Sequence, residues 1–331
     1  MRLENLLALT RAKLINEPCV NNFDNIIFEP QKVKRGDLFF AFDNSHIEEA
    51  VNNGAYGIVF DKPTQISDRE IAWIKVEEIS DALIRLLRFR MIEKEVIAYE
   101  CNEIILKLSM QVITLTNFLA VYGDLKQIFN SLWNIEEKCT VLFSSSTCNK
   151  NIFASTKELP EIIDNSIDIM EQTLFETSFI YENSFYERQL ISPFFMPYLE
   201  RLLYFFKSSK ISFSLKKFTP IEHFEAVFTN NNFEIKNFGT SDKVLIFEPN
   251  ASLIDSEILF LQNQASWANT IFIVPSHLNL TDDTSVYYYD DEKDILNILK
   301  DTLFNFALVA GVDKSILAQP LNTQAQLTLE F

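Results

Sequence analysis

The sequence predicts an α/β protein made of three small α/β domains. Strand-like runs of β-branched and aromatic residues alternate with segments whose apolar residues recur at helical spacing, which is typical of parallel sheets covered by helices. The chain has 331 residues, of which 47% are apolar, so each domain can bury a core. We place the domains at residues 1–92, 93–225 and 226–331.

The first domain is predicted from short apolar runs separated by turn signals. Arg35-Gly36-Asp37 predicts a turn because glycine accepts a positive φ. Gly54 is expected to end a short helix that begins at Ile47. Strands are predicted at 38–42, 56–60 and 73–76, between an N-terminal helix at 3–15 and a helix at 80–90 that Ser80 caps.

The middle and last domains continue the alternation. In the middle domain we expect strands at 96–99, 112–115, 140–143 and 178–181 and helices at 117–133, 160–175 and 196–206. In the last domain we expect strands at 243–247, 270–274, 286–289 and 306–310 and helices at 254–264 and 290–304. Two acidic pairs, Asp282-Asp283 and Asp290-Asp291, are expected to serve as turn and cap residues.

Charge and cysteine usage exclude several classes of function. A net charge of −17 argues against general nucleic-acid binding, which needs clustered Lys and Arg. The four cysteines are scattered and form no Cys-x-x-Cys pair, so we expect neither a zinc site nor a disulfide framework. No apolar run is long enough to span a bilayer. We therefore expect a cytoplasmic protein with no membrane span and no nucleic-acid partner.

The most specific pattern in the chain lies in the first domain. It consists of Val33, Gly36-Asp37-Leu38-Phe39, Ala41, His46 and Asn53-Gly54-Ala55. This pattern resembles the N-terminal domain of the Mur ligases, ATP-dependent enzymes that build the peptidoglycan stem peptide, and most resembles the type that adds D-alanyl-D-alanine. The resemblance implies a domain that holds a uridine nucleotide. The family's Asp-Ser-Arg, however, reads Glu29-Pro30-Gln31 here.

Residues 112–121 are similar to the nucleotide loop of the same family, Val-Ile-Thr-Gly-Thr-Asn-Gly-Lys-Thr-Thr. Thr114, Thr116 and Asn117 match, as do the two residues before them. The residues that would cradle and charge-stabilise the phosphates are replaced by Leu115, Phe118, Leu119 and Ala120. A phosphate loop needs inward-pointing N–H groups, which glycine allows, and a lysine. The chain has no Gly-Lys dipeptide. We therefore expect no ATP, no magnesium and no catalytic side chains.

The resemblance also implies four residual ligand contacts: His46, Glu171, His223 and Asn250. Glu171 stands where the family has a magnesium-binding glutamate, although the segment also fits the exposed face of a helix. His223 stands where a junction motif has arginine, and a hydrogen-bonded structural role is the alternative. Several strands of the family's central domain have no counterpart, so the central parallel-sheet domain is expected to be truncated.

Three functional hypotheses follow. The first is a Mur-ligase-like protein without catalysis, which binds or scaffolds in cytoplasmic peptidoglycan precursor synthesis. Its partner would be a cell-wall synthesis protein or another Mur ligase. The second is an active ligase for UDP-N-acetylmuramoyl peptides with a non-standard nucleotide site. The third is an unrelated α/β binding module.

Overall fold

The computed structural model describes residues 1–115, 117–163, 165–241, 243–278, 280 and 285–318. It divides into two compact units, Met1–Glu161 with Phe205–Ser214, and Ile162–Tyr204 with the chain from Leu215 onward. The predicted mixed α/β class is confirmed by its parallel sheets and intervening helices. The domain boundaries at 92 and 225 remain predictions. The predicted turn at Asp282-Asp283 lies outside the described residues.

The first unit opens with a five-stranded sheet of order β1-β5-β4-β3-β2, parallel except for the antiparallel β1–β5 pair. Gly54 ends α2 at a φ of 98°, and a Cβ there would lie 3.3 Å from the Cα of Arg35, so the position requires glycine. The predicted Ser80 cap is wrong, because Glu78 is the N-cap residue of α3. The elements are α1 (Leu3–Thr10), β1 (Lys13–Leu14), β2 (Ile26–Ile27), β3 (Leu38–Phe40), α2 (Ile47–Asn52), β4 (Gly57–Phe60), β5 (Ala72–Lys75) and α3 (Ile79–Glu93).

The first unit continues with a four-stranded parallel sheet of order β10-β6-β9-β8. The helix predicted at 117–133 begins only at Leu125, where Asp124 and Gln127 form a capping box. The residues before it pair with β9 as a strand. The elements are β6 (Ile97–Glu100), α4 (Glu103–Met110), β7 (Val112–Thr114), β8 (Phe118–Val121), α5 (Leu125–Trp133), β9 (Thr140–Phe143) and β10 (Thr156–Glu158).

One hydrophobic core runs through both sheets of the first unit. It includes Leu6 on α1, Leu87 on α3 and Phe129 on α5. The ring of Phe129 meets that of Phe28 edge-on, with centroids 5.3 Å apart. Residues on either side of position 92 therefore share one core.

The second unit begins with an antiparallel sheet of order β11-β12-β13. The helix predicted at 160–175 is wrong, because six residues of that segment form strand β11, of which five pair with residues of β12. The helix predicted at 196–206 is confirmed as α6. The elements from here are β11 (Ile167–Gln172), β12 (Thr177–Tyr181), β13 (Ser184–Gln189) and α6 (Met196–Ser208). The end of α6, from Phe205, and the start of β14 (Phe213–Leu215) belong to the first unit, where β14 pairs with β7.

The second unit ends in a five-stranded sheet of order β15-β16-β19-β17-β18, parallel except for the antiparallel β15–β16 pair. Its inner strands are continuous apolar runs because parallel strands are buried on both faces. Asp291 caps α8 as predicted. The elements are β15 (Glu225–Thr229), β16 (Lys243–Glu248), α7 (Ile254–Gln264), β17 (Thr270–Pro275), β18 (Val286–Tyr289), α8 (Glu292–Asp301) and β19 (Phe306–Ala310).

Candidate functional site

The predicted nucleotide stretch joins two strands and does not lead into a helix. Thr114 ends β7, and the backbone N–H of Leu115 donates to a carbonyl oxygen just before β14, at 2.9 Å. The side chain of Asn117 donates to a backbone carbonyl oxygen 3.3 Å away. Thr116 lies outside the described residues. The helix expected to start at Asn117 is therefore wrong.

The bulky residues of this stretch have different surroundings. Leu115 is 74% exposed. Phe118 begins β8, and its ring meets that of Phe206 edge-on with centroids 5.1 Å apart. Leu119 packs against the core of the first unit, and Ala120 is half-buried on the same strand. Apart from the end of β7, the described residues of the stretch thus form an edge strand of the central sheet, β8, and the exposed link that precedes it.

The central sheet has its own strand-to-helix junction elsewhere. The chain leaves β6 through α4 and returns in β8, beyond β9, whereas it leaves β9 and returns in β10, beyond β6. In parallel sheets, ligands bind outside the carboxyl ends of the strands. We call this place the β6/β9 crevice. It lies between residues 100–103, which join β6 to α4, and residues 144–146, which follow β9.

The β6/β9 crevice is lined by acidic and hydroxyl side chains. Asn102 caps α4 by accepting a hydrogen bond from the N–H of Ile105 at 2.9 Å. A carboxylate oxygen of Glu103 lies 3.3 Å from the ammonium of Lys107. The other oxygen lies 3.5 Å from the hydroxyl of Ser146, which is 2.8 Å from the hydroxyl of Ser144. The crevice therefore presents a carboxylate where a phosphate-binding site presents N–H groups and a free lysine.

The sequence interpretation missed the β6/β9 crevice, although a signal for it was present. The run 96–99 was predicted as a strand. Asn102 follows it, and Ile104, Ile105 and Leu108 then recur at helical spacing. An asparagine before such a spacing indicates a helix N-cap. Reading that cap would have placed the strand-to-helix junction at residues 100–103.

Two of the four predicted ligand contacts lie on the surface, each in a different unit. His46 ends a 3₁₀ turn in the first unit, and its Nδ1 atom is 3.9 Å from a carboxylate oxygen of Glu49. Glu171 is exposed on β11 in the second unit. Glu171 is therefore on a strand, and the helix on which its alternative interpretation depended is absent from this described segment.

The other two predicted contacts meet at one buried carboxylate, that of Glu248 at the end of β16. Its Oε1 atom lies 2.8 Å from Nδ1 of His223 and accepts from the N–H of Asn250 at 2.7 Å. Its Oε2 atom accepts from the N–H of Phe224 at 3.1 Å. His223 and Glu248 are at most 1% exposed. The side chain of Asn250 itself caps the turn that follows, by accepting from the N–H of Ser252.

A second buried carboxyl group, that of Glu257 on α7, belongs to the same cluster. Glu257 is fully buried, and within the described residues no N–H or O–H group donates to either of its oxygens. Burial raises the pKa of Glu257, and the neighbouring Glu248 carboxylate raises it further. Glu257 therefore carries a proton at neutral pH, which it can share with Glu248. Sequence alone gave no sign of this, because a glutamate on an amphipathic helix normally faces water.

Within the described residues, no three His, Cys, Asp or Glu side chains are grouped so that they could hold a metal ion. None of the helices in this part of the chain is both long enough and apolar enough to span a membrane.

Comparison with solved structures identifies proteins of similar fold. A MurF structure from Acinetobacter baumannii superimposes with a TM-score of 0.55 at 11% sequence identity, covering 93% of this chain and 95% of that one. The UDP-N-acetylmuramoylalanyl-D-glutamyl-2,6-diaminopimelate–D-alanyl-D-alanyl ligase of the same organism gives 0.53, with 12% identity and coverage of 93% and 94%. The chain has a Mur-ligase-like fold. MurF of Thermotoga maritima, solved with ADP, gives 0.52 at 12% identity, with coverage of 88% and 94%.

Sequence comparisons add no closer assignment. No protein-family model matches the chain. No curated protein sequence matches it either. At identities of 11–12% the structural likeness concerns the Mur-ligase-like fold alone.

Proposed function

We propose that this Mur-ligase-like protein does not catalyse ligation and instead binds or scaffolds in cytoplasmic peptidoglycan precursor synthesis. Its partner would be another Mur ligase or a further cell-wall synthesis protein. The observation that carries the proposal is the composition of the β6/β9 crevice. The fold connects the chain to ligases of D-alanyl-D-alanine, but the crevice is built from groups that do not fit a nucleoside triphosphate.

The helix terminus at this crevice is already occupied. The N-terminus of a helix binds phosphate through its free N–H groups and its dipole. Here the side chain of Asn102 accepts one of those N–H groups. Glu100 and Glu103 flank it on either side. At roughly 6 Å and an effective dielectric constant of about 20, the Glu100 carboxylate would repel one phosphate charge by about 3 kcal/mol.

The nearby lysine is also unsuited to a phosphate. Lys107 is paired with Glu103 at 3.3 Å, and its side chain is only 10% exposed. Its ammonium also lies 5.6 Å from the ring centroid of Tyr122. Phosphoryl transfer depends on cations and N–H groups preorganised around the transferring group. A lysine neutralised within the protein does not supply that charge, so no step of ligation is assigned to this chain.

The alternative of an active ligase with a non-standard nucleotide site leads to a different experimental result. The protein would be incubated with a UDP-N-acetylmuramoyl peptide, D-alanyl-D-alanine, ATP and magnesium, with a catalytic Mur ligase assayed in parallel. We expect no phosphate release above the blank without protein. Sustained release that requires both the UDP-precursor and the dipeptide would refute the proposal and support an active ligase.

The scaffolding part of the proposal needs its own measurement. Crosslinking in intact cells, followed by mass spectrometry, would compare the tagged protein with an unrelated acidic bait of similar abundance. We expect specific crosslinks to a Mur ligase or another enzyme of precursor synthesis. Crosslinks confined to proteins outside cell-wall synthesis would contradict this role.

A further inference from the structure

The loops that lead into β17 and β19 each present a large apolar side chain to solvent. Trp267, just before β17, is 75% exposed, and Leu303, just before β19, is 86% exposed. The two strands are parallel neighbours, so both loops lie at the same end of the sheet. Single exposed apolar residues are ordinary, but two on adjacent loops form a patch, and tryptophan is enriched among the residues that dominate protein contacts. We call this surface the Trp267–Leu303 patch.

Hydrogen bonds hold the two loops of the patch together. The side chain of Asn269 donates to the carbonyl oxygen of Leu303 at 2.6 Å, and its backbone N–H donates to the side-chain oxygen of Asn305 at 3.0 Å. The backbone N–H of Asn305 donates in return to the carbonyl oxygen of Asn269 at 2.8 Å. The indole ring of Trp267 meets the ring of Phe306 edge-on, with centroids 5.8 Å apart. The patch is therefore preorganised, which reduces the entropy lost on binding.

The first unit carries an apolar groove among its helices α1, α3 and α5. The groove has a volume of about 450 Å³. Its apolar walls come from Ala8 and Leu9 on α1, Phe89 on α3 and Trp133 on α5. Phe89 is 48% exposed, so an occupant of the groove would remove further apolar surface from water. We call this surface the α1/α3/α5 groove.

The charge distribution favours a second copy of this chain as the occupant of the groove. The net charge of −17 makes two copies repel each other over most of their surfaces. Residues 261–274 and 302–310, which contain the patch, carry no charged side chain. Arg90 and Glu93, which line the groove, pair with each other at 2.6 Å. The patch and the groove are thus places where two copies can meet without like-charge repulsion.

We propose that the Trp267–Leu303 patch of one copy of this chain packs into the α1/α3/α5 groove of a second copy. The patch and the groove are different surfaces, so the contact is heterologous. Heterologous contacts between identical chains produce rings or open chains, whereas a symmetric contact produces closed pairs. Self-association of this kind does not depend on whether the protein binds ATP.

Sedimentation velocity of the full-length protein tests this contact. Because a contact of this size is weak, we expect the mean sedimentation coefficient to rise with concentration between about 1 µM and about 300 µM. Trp267→Ala removes the ring from the patch, and Phe89→Glu places a charge in the groove. Each should raise the concentration for half-maximal association tenfold or more. Added salt should strengthen association, because it screens the repulsion between acidic copies.

The matched control variants change exposed apolar side chains outside the patch and the groove. Phe185→Ala removes a ring that is 58% exposed in the second unit. Met110→Glu adds a charge at a position that is 55% exposed in the first unit. Both should associate within about twofold of the unmodified protein, because they touch neither surface. Circular dichroism of all four variants should match that of the unmodified protein, since each change is at an exposed position.

A mixture of the Trp267→Ala and Phe89→Glu proteins distinguishes a heterologous contact from a symmetric one. The first variant keeps an intact groove and the second keeps an intact patch. The mixture should therefore form one-to-one pairs and no larger species. Three results would overturn the proposal. These are a sedimentation coefficient that does not rise with concentration, unchanged association in either variant alone, and no pairing in the mixture.

Discussion

The imidazole of His223 and the carboxylate of Glu248 lie 2.8 Å apart, and both side chains are buried in the second unit. Glu248 stands at the carboxyl end of β16, whereas His223 lies in the segment just before β15. The same carboxylate accepts the N–H groups of Phe224 and Asn250. The Glu248 side chain thus bonds two loops at the end of the sheet where β15 begins and β16 ends.

The first prediction concerns this carboxylate. Replacing Glu248 by glutamine removes its charge and leaves one of the converging donors facing an NH₂ group. Because an unsatisfied buried donor is costly, we expect Glu248→Gln to lower the free energy of unfolding by about 2–3 kcal/mol. Urea denaturation followed by circular dichroism measures the change.

The control for this prediction is Glu225→Gln. Glu225 pairs with Lys314 at 2.6 Å, but the lysine side chain is 57% exposed, so the loss should stay below about 1 kcal/mol. Equal effects of the two substitutions would show that Glu248 is not the centre of a cooperative buried network.

The second prediction concerns the proton on Glu257. Its pKa is raised in the folded protein above the ordinary value of 4.5, because the carboxyl group is buried beside Glu248. The stability linked to this proton is fully present below pH 4.5 and is lost as the pH rises toward the raised folded value. Glu257→Gln replaces the protonated carboxyl group by an amide. The amide still donates a hydrogen bond, but it does not titrate.

The variant should therefore gain stability over the unmodified protein as the pH rises. Between pH 6 and pH 9 we expect the difference in unfolding free energy to grow by about 1 kcal/mol per pH unit. Urea titrations at several pH values measure it. Burial and the neighbouring Glu257 raise the pKa of Tyr198 above its ordinary value of 10, so this tyrosine stays protonated over the same pH range. Parallel stability curves would mean that Glu257 does not hold a proton.

The third prediction tests the shared core of the first unit. Phe129 is 1% exposed, meets Phe28 edge-on and stacks on Trp133 with centroids 4.9 Å apart. Phe129→Ala should cost about 3–5 kcal/mol. Phe89→Ala, at a position that is 48% exposed, should cost far less. Hydrogen exchange should show lost protection on both sides of residue 92. Loss confined to the central sheet would indicate two separate cores.

Most strands of the last sheet were predicted correctly, because each of them is recognisable from its own local sequence. The apolar runs within β16, β17 and β19 are typical of strands buried on both faces, and turn residues bound them. The helix α7 and strand β18 were likewise placed correctly. In these elements local preference and tertiary environment agree.

The same approach failed where tertiary pairing decides the structure. Phe118, Leu119 and Val121 form a short apolar run that fits a helix or a strand, and only pairing with β9 makes it a strand. Ile167 and Met170 have helical spacing, yet their segment pairs with β12 as β11. Because residues 118–121 were predicted as part of a helix, the strand-to-helix junction was expected near residue 117 and not in the β6/β9 crevice.

The buried cluster shows a second limit of sequence interpretation. His223 and Asn250 were each singled out, but their common partner Glu248 is 25 residues from the histidine. Glu257, which is nine residues further along, was not singled out at all. Contacts between the ends of separate elements leave no local pattern, so only the folded chain reveals them.

The fourth prediction bears on the helix cap in the β6/β9 crevice. Asn102 satisfies the N-terminus of α4 from within the chain. Asn102→Ala should lower stability by about 1 kcal/mol, the usual effect of losing an N-cap. The conservative variant Asn102→Asp should retain the cap and most of the stability. Equal loss in both variants, measured by thermal denaturation, would contradict the capping role.

The central claim is that the protein has no triphosphate site, and calorimetric titration with ATP tests it most directly. The titration would be performed with and without magnesium, beside a catalytic Mur ligase as the positive control. We predict no saturable heat for this protein at ATP concentrations up to the millimolar range. Saturable, magnesium-dependent binding with a micromolar Kd would contradict the account.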